Sequence, residues 1–373
     1  METEHRIYVS NSDDIAQLED GEVDLVVTSP PYPMIEMWDG LFADLNSEIN
    51  GRLQEGDGEG AFELMHSELQ KTWKEINRVL TPGGIACINI GDATRKVDGS
   101  FQVYPNHAEV INNFRDLGFQ PLPDILWRKP TNSAAKFMGS GMLPPNAYAT
   151  LEHEYILIFR NGSSQREFEP GSPRRYNSAY FWEERNKWFS DVWMDIRGTL
   201  QELNQNELRE RSAAFPLELP YRLISMYSAY GDTVLDPFWG TGTTSMAAMA
   251  TARNSIGCEI KEEFATLFDE RVDRIKDISW ETARGRIQRH REFAKQRLDE
   301  QKEMKYDAIE YDFPVTTKQE RKIRFHAIDN IHETQEGYVA QHVPVEERRY
   351  QAKKTVSRSG SGPSQSTFRS DFS

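Results

Sequence analysis

Short apolar runs alternate along the chain with longer stretches of helical period. Val23-Asp24-Leu25-Val26-Val27-Thr28 is a β-branched run, and Ser29-Pro30-Pro31-Tyr32 follows it directly. Two prolines cannot continue a hydrogen-bonded ladder, so the run predicts a buried strand that ends in a fixed loop. Phe62, Leu69, Trp73, Ile76 and Leu80 recur at helical spacing, and Thr81-Pro82-Gly83-Gly84 stops that helix before a strand over 85–90. A helix over 107–117 and strands over 124–127 and 154–159 come next. In the second half a helix over 219–230, a strand over 233–236, the loop 237–244, a small-residue helix over 245–252 and a strand over 255–260 make one complete βαβ unit. Strands alternating with helices predict an α/β fold around a largely parallel sheet.

The pattern dissolves between 160 and 211, where Arg174-Arg175-Tyr176, Tyr180-Phe181-Trp182 and Arg185-Asn186-Lys187-Trp188 stand among polar residues. This reads as an inserted module. It divides the chain into an N-terminal half (1–159), the insert (160–211) and a second half (212–275). A charged helical extension (276–313) and a weakly ordered tail (314–373), Ser/Gly-rich at its end, complete the chain.

Composition narrows the class. With 59 acidic against 44 basic residues among 373, the formal charge is −15, so a polyanionic partner would have to be met by local basic clusters. The only cysteines are Cys87 and Cys258, too few for a disulfide framework or a zinc site, and no metal is expected. No apolar run approaches the ~18–20 residues that cross a bilayer, and the first residues lack the order of a signal peptide, so a cytoplasmic protein without membrane partners is expected.

Two constellations carry chemistry. In Asp236-Pro237-Phe238-Trp239-Gly240-Thr241-Gly242, two glycines after a strand let the backbone come close to a ligand, and the next helix points its positive end at the same place. Glu259, 23 positions after Asp236, stands where an acid in such folds accepts hydrogen bonds from ribose hydroxyls. The third glycine of the dinucleotide fingerprint is absent, since Ser245 occupies its place, and no Gly-Lys-Ser/Thr holds a triphosphate. In the other constellation, Ser29, Pro30, Pro31 and Tyr32, the rigid loop leaves the carbonyls of Ser29 and Pro30 to accept from a ligand, and Tyr32 adds a flat face. Together these grip a planar group that bears an amine.

The two motifs together resemble the amino-methyltransferases of DNA, in particular the β-class, N4-cytosine-type enzymes with Ser-Pro-Pro-Tyr as catalytic motif and Phe-x-Gly-x-Gly as cofactor motif. The similarity spans about residues 7–271, includes the permuted order of catalytic motif first and cofactor motif late, and extends in overall look to archaeal enzymes that modify CTAG. The resemblance implies a Rossmann-like class I methyltransferase sheet and S-adenosyl-L-methionine as cofactor. It implies cofactor contacts at Asp13, Phe215, Asp236, Phe238, Gly240, Gly242 and Glu259, with Ser12 in place of the family's usual glycine before Asp13. It implies Ser29, Pro30, Pro31 and Tyr32 as the catalytic loop and residues 160–211 as the target-recognition segment, with Arg211 where some members have His.

The implied activity is methyl transfer to the exocyclic N4 of a cytosine flipped out of double-stranded DNA. A cognate restriction endonuclease is the candidate protein partner, and the oligomeric state stays open. Basic residues Arg128, Lys129, Lys136, Arg174, Arg175, Arg185 and Lys187 are candidates for contacts to phosphates or guanine edges. Methylation at carbon 5 would need a placed cysteine nucleophile, and Cys87 and Cys258 read as strand-packing residues. N6-adenine methylation on the same scaffold is the nearest alternative, and a non-catalytic nucleic-acid-binding protein is the alternative of another class.

Overall fold

The computed structural model describes residues 1–129, 138–196 and 215–346. Among them a ten-stranded sheet runs through the molecule. Its strands in chain order are β1 (Glu2–Val9), β2 (Val23–Thr28), β3 (Leu80–Ile90), β4 (Phe119–Arg128), β5 (His153–Asn161), β6 (Val192–Trp193), β7 (Thr233–Asp236), β8 (Asn254–Glu259), β9 (His326–Thr334) and β10 (Gly337–Pro344). Their order across the sheet is β6-β4-β5-β3-β2-β7-β8-β1-β10-β9. The central five, from β3 to β1, are parallel, and antiparallel pairs flank them on both sides.

Apolar residues of β2 go to both faces, as a parallel strand covered by helices requires. Val26 joins one cluster, with Trp73 and Ile76 of α1 (Gly58–Val79) and Phe114 of α2 (Asn106–Asp116). Leu25 and Val27 join the other, with Leu223 and Ile224 of α4 (Glu218–Tyr227) and Ala247 and Ala248 of α5 (Thr243–Ala250). Asp57 caps α1 by accepting from the Gly60 amide at 2.9 Å.

Three boundaries differ from the sequence expectation. Residues 160–196 do not stand apart as a module. Trp188, Trp193 and Ile196 pack in the same cluster as Leu25 and Val27, β6 pairs with β4, and α3 (Trp182–Trp188) is locked to α6 (Glu262–Asp299) by a bidentate pair between Arg286 and Glu184 at 2.6 and 2.7 Å. Of the aromatic residues in this stretch, Phe181 and Trp188 are core, Tyr176 and Tyr180 are half-buried and Trp182 is exposed. The rest of the expected insert, 197–211 with Arg211, lies outside the described residues, as does Lys136.

Second, the cut at 275 falls inside α6, one helix of 38 residues. Third, the expected weak order of 314–373 is wrong for residues 314–346. They include the β9–β10 hairpin, whose β10 pairs antiparallel with β1 and covers what would be an open edge. Residues 347–373 lie outside the described part. No helix among the described residues is long and apolar enough to cross a membrane.

Candidate functional site

From β2 the chain crosses through α1 to β3 on one side, and from β7 it crosses through α5 to β8 on the other. The crossovers diverge between β2 and β7, and in an open α/β sheet the carboxyl ends of strands at such a switch point frame a crevice for ligands. Ser29–Tyr32 leaves β2 there and 237–242 leaves β7 there, so the two sequence motifs meet.

Asp236 joins them. Its carboxylate accepts from Thr28 Oγ1 at 2.6 Å, from Thr244 Oγ1 at 2.6 Å and from the Phe238 amide at 3.1 Å. It is 3% exposed, and burial raises its pKa to about 6 against the pull of those donors. Glu259 accepts from the amides of Gly240 (2.9 Å) and Lys261 (3.0 Å), and burial raises it too.

The two glycines differ in role. Both have positive φ, +53° at Gly240 and +76° at Gly242. A Cβ on Gly242 would come within 2.3 Å of the Phe268 ring and 2.7 Å of Trp239, so this glycine exists for packing. A Cβ on Gly240 would meet nothing closer than 3.9 Å and would fill open space over the turn. Trp239 is buried against Gly242 and Gly257, its indole donating to Ser245 Oγ at 2.8 Å.

Phe238 lies edge-on to Trp73 at 5.8 Å, on the α1 face of the sheet. Phe215 packs on the opposite face, in the cluster with Leu25 and Val27, and does not stand beside Phe238. Asp13 is exposed in the segment after β1, whose last residue, Val9, is paired with Glu259. That segment therefore leaves the sheet next to Glu259, and Ser12 anchors it to Thr72 at 3.2 Å.

In the loop after β2, Pro30 and Pro31 are buried, while Ser29 and Tyr32 are half-buried. Ser29 Oγ lies 3.1 Å from Tyr32 Oη, and Tyr32 donates to Glu154 Oε2 at 2.9 Å. Asn89 Nδ2 reaches Tyr32 Oη (2.8 Å), Glu154 Oε2 (2.7 Å) and, at longer range, Ser29 Oγ (3.4 Å). Burial and the neighbouring Glu154 carboxylate push the Tyr32 hydroxyl well above its usual range, so it stays protonated. The sequence reading missed Asn89 and Glu154. The available signal was a polar side chain next to the apolar stretch of each of two strands, Asn89 after Ile85–Ile88 in β3 and Glu154 before Tyr155–Phe159 in β5.

The basic candidates separate. Lys129 pairs with Glu154 and so belongs to the loop network, with its ammonium 4.7 Å over Trp127. Arg128 makes an exposed pair with Glu152 at 2.9 Å. Arg174 pairs with Asp232, a wholly buried carboxylate at the amino-terminal start of β7, and donates to the Tyr230 carbonyl. Arg175, in the same short helix, lies over the Phe168 ring at 5.2 Å. Both arginines, expected from the sequence as DNA contacts, are exposed and sit on this short helix. Asp232 draws Arg166 and Arg174 to the amino ends of the parallel strands, away from the crevice. Arg185 faces Phe189 (5.6 Å), and Lys187 pairs with Asp195 at 2.7 Å.

Comparison with known proteins points the same way. The family model described as DNA methylase matches residues 23–270. Type II methyltransferase M.MthZI of Methanothermobacter thermautotrophicus is 54% identical over 328 residues, which are 87% of this chain and 91% of that protein. Type II methyltransferase M.MjaI of Methanocaldococcus jannaschii is 52% identical over 281 residues, 72% of this chain and 91% of that one. A candidate DNA modification methylase of Thermus thermophilus, solved in complex with S-adenosyl-L-methionine, superposes with a TM-score of 0.56 at 33% identity, covering 73% of this chain and 94% of its own.

Proposed function

The chain belongs to the DNA methylase family and uses S-adenosyl-L-methionine; from that premise we propose that it methylates the exocyclic N4 of cytosine in a short duplex site, as the modification enzyme of a restriction-modification system. The observation that carries this reading is the contact of Thr28 with Asp236, which sets the Ser29–Tyr32 loop beside the Gly240 turn at one switch point. Open space where a Gly240 Cβ would point fits a ligand lying against the backbone. Bound there, the cofactor supplies a methyl group on a sulfonium, already a good leaving group.

The protein's own residues do the rest. The Gly240 turn and the N-terminus of α5 form the cradle, with Phe238 as a side wall. Glu259, the neighbour of β1's end, is placed for ribose hydroxyls, and the segment with Asp13 closes the far side. Ser29 Oγ and the Pro30 carbonyl accept the two amine hydrogens, which turns the nitrogen lone pair out of the ring plane. Tyr32 stacks on the flipped base. Holding the nitrogen ~3–3.5 Å from the methyl carbon supplies much of the acceleration. With the cofactor held in this cradle, the methyl group would pass to the nitrogen with the bonding pair left on sulfur, and the loop's part would be to let one amine proton go to solvent.

Ser rather than Asp at position 29 favours cytosine over adenine. Transfer to carbon 5 is disfavoured because Cys87 and Cys258 are buried on strands and burial raises both thiols, Cys258 to about 12. Arg128 is the basic residue best placed for phosphate, since its exposed pair with Glu152 is worth little and can be exchanged. Transfer of labelled methyl to a duplex containing CTAG tests the reading. Tyr32→Ala should lose the stacking surface, ~1–3 kcal/mol, and most of the turnover, while Tyr32→Phe retains much more. Ser29→Ala should slow transfer and leave cofactor affinity unchanged. Equal activity in Tyr32→Ala and wild type would remove the loop from the mechanism.

A further inference from the structure

We propose that Glu154 is a positioning residue that sets the direction of the hydrogen-bond chain ending at Ser29, with Lys129 holding its other carboxylate oxygen. This role rests on the reading of Ser29 as an amine acceptor and follows from which of the groups in contact can donate and which can only accept. A carboxylate only accepts, so the 2.9 Å contact of Tyr32 Oη with Glu154 carries the tyrosine proton. Asn89 Nδ2 only donates, and it fills one lone pair of Tyr32 Oη at 2.8 Å.

The remaining position on Tyr32 Oη is a lone pair, and Ser29 Oγ sits 3.1 Å from it. Ser29 must therefore donate its proton to Tyr32. Of its own two lone pairs, one has the long contact with Asn89 Nδ2 at 3.4 Å, which leaves the other to accept an N–H from the target amine. Were the chain reversed, the Ser29 proton would point at the amine and repel it. Burial and Glu154 keep Tyr32 protonated, so it has a proton to donate to Glu154.

Lys129 makes the charge essential. Its ammonium, a donor only, contacts Glu154 Oε1. In Glu154→Gln the carboxamide oxygen would turn to Lys129, and its NH2 would face Tyr32 and the Asn89 amide. Tyr32 would then have to accept from position 154 and donate to Ser29, which is the unproductive direction.

The test is single-turnover methyl transfer to duplex DNA with cofactor affinity measured in parallel. Glu154→Gln should cut the transfer rate ~100-fold, the size of effect a misplaced reacting group produces, with cofactor affinity unchanged. In a Tyr32→Phe background, where the relay atom is missing, the same substitution should have nearly no further effect. Glu154→Asp, which keeps an acceptor-only charge, should be faster than Glu154→Gln, and this comparison stands even if Gln lowers the melting temperature. Equal losses in both backgrounds, or Gln as fast as Asp, would overturn the proposal. Wild-type transfer tests the underlying reading, and because these are ratios between variants, a target base other than cytosine leaves them valid.

Discussion

The hydroxyl of Thr28 donates to the carboxylate of Asp236 across 2.6 Å, from the last residue of one parallel strand to the last residue of its neighbour. Both residues are buried, so water cannot replace the bond if it is removed. Thr28→Val keeps the shape and leaves a buried carboxylate short of a donor. It should lower stability by ~1–3 kcal/mol and weaken both cofactor binding and methyl transfer. Calorimetric titration and a melting curve on the same sample check this; a variant with wild-type values would mean that the two loops are aligned by other contacts.

Gly240 and Gly242 should respond differently to added bulk. Gly240→Val places a side chain in the open space above the turn, so it should abolish cofactor binding. Gly242→Ala drives a methyl into Phe268 and Trp239 and should destabilise the fold by ~1–3 kcal/mol. Cofactor affinity compared with melting temperature separates the two. Unimpaired binding in Gly240→Val would place the cofactor elsewhere.

Truncation after Asp312 should be damaging. It removes β9 and β10, exposes the edge of β1, and takes Ile328, Tyr338 and Ala340 out of the cluster that contains Trp239 and Phe268. The truncated chain should aggregate or melt well below the full chain and bind no cofactor. Full activity in that form would mean the hairpin is an appendage.

The pH dependence of stability carries two opposing signs. Burial lowers His5 and His342 to about 3 and His66 and His326 to about 4, so the folded state keeps them neutral where the unfolded state is charged. Their contribution is full above about pH 6.5 and is lost as pH falls from there toward 4. Asp236 acts the other way. Its folded pKa of about 6 exceeds the unfolded value of 3.8, so stability is lost as pH rises between them. The difference in unfolding free energy, wild type minus Asp236→Asn, should therefore fall by about 2–3 kcal/mol from pH 4 to pH 6.5. Chemical denaturation across that range checks the sign.

Much of the parallel core was legible because β2, β3 and β7 carry apolar runs closed by turn signals, as Val23–Thr28 is by Ser29-Pro30-Pro31, whereas β1, Glu-Thr-Glu-His-Arg-Ile-Tyr-Val, has no such run and was not foreseen. Nor was the β9–β10 hairpin. Its strands are the two outermost on that side of the sheet, and exposed Asp329, Asn330, Glu333 and Gln341 interrupt the apolar pattern. The ion pair of Arg174 was hidden for a related reason: in the sequence Arg174 is a free cation, and only the fold brings the buried Asp232 to it. The site divided in the same manner. Ser29, Tyr32, Asp236, Gly240 and Glu259 stand in compact motifs, whereas Asn89 and Glu154 reach Tyr32 only through the pairing of β3 with β5 and their place beside β2.

The most direct test of the account is nucleoside mass spectrometry of duplex DNA incubated with the protein and S-adenosyl-L-methionine. The account predicts N4-methylcytosine, absent when cofactor or DNA is withheld and strongly reduced in Tyr32→Ala. N6-methyladenine in its place would overturn the base assignment, and 5-methylcytosine, or no methylated base at all, would contradict amine methylation at the Ser29–Tyr32 loop.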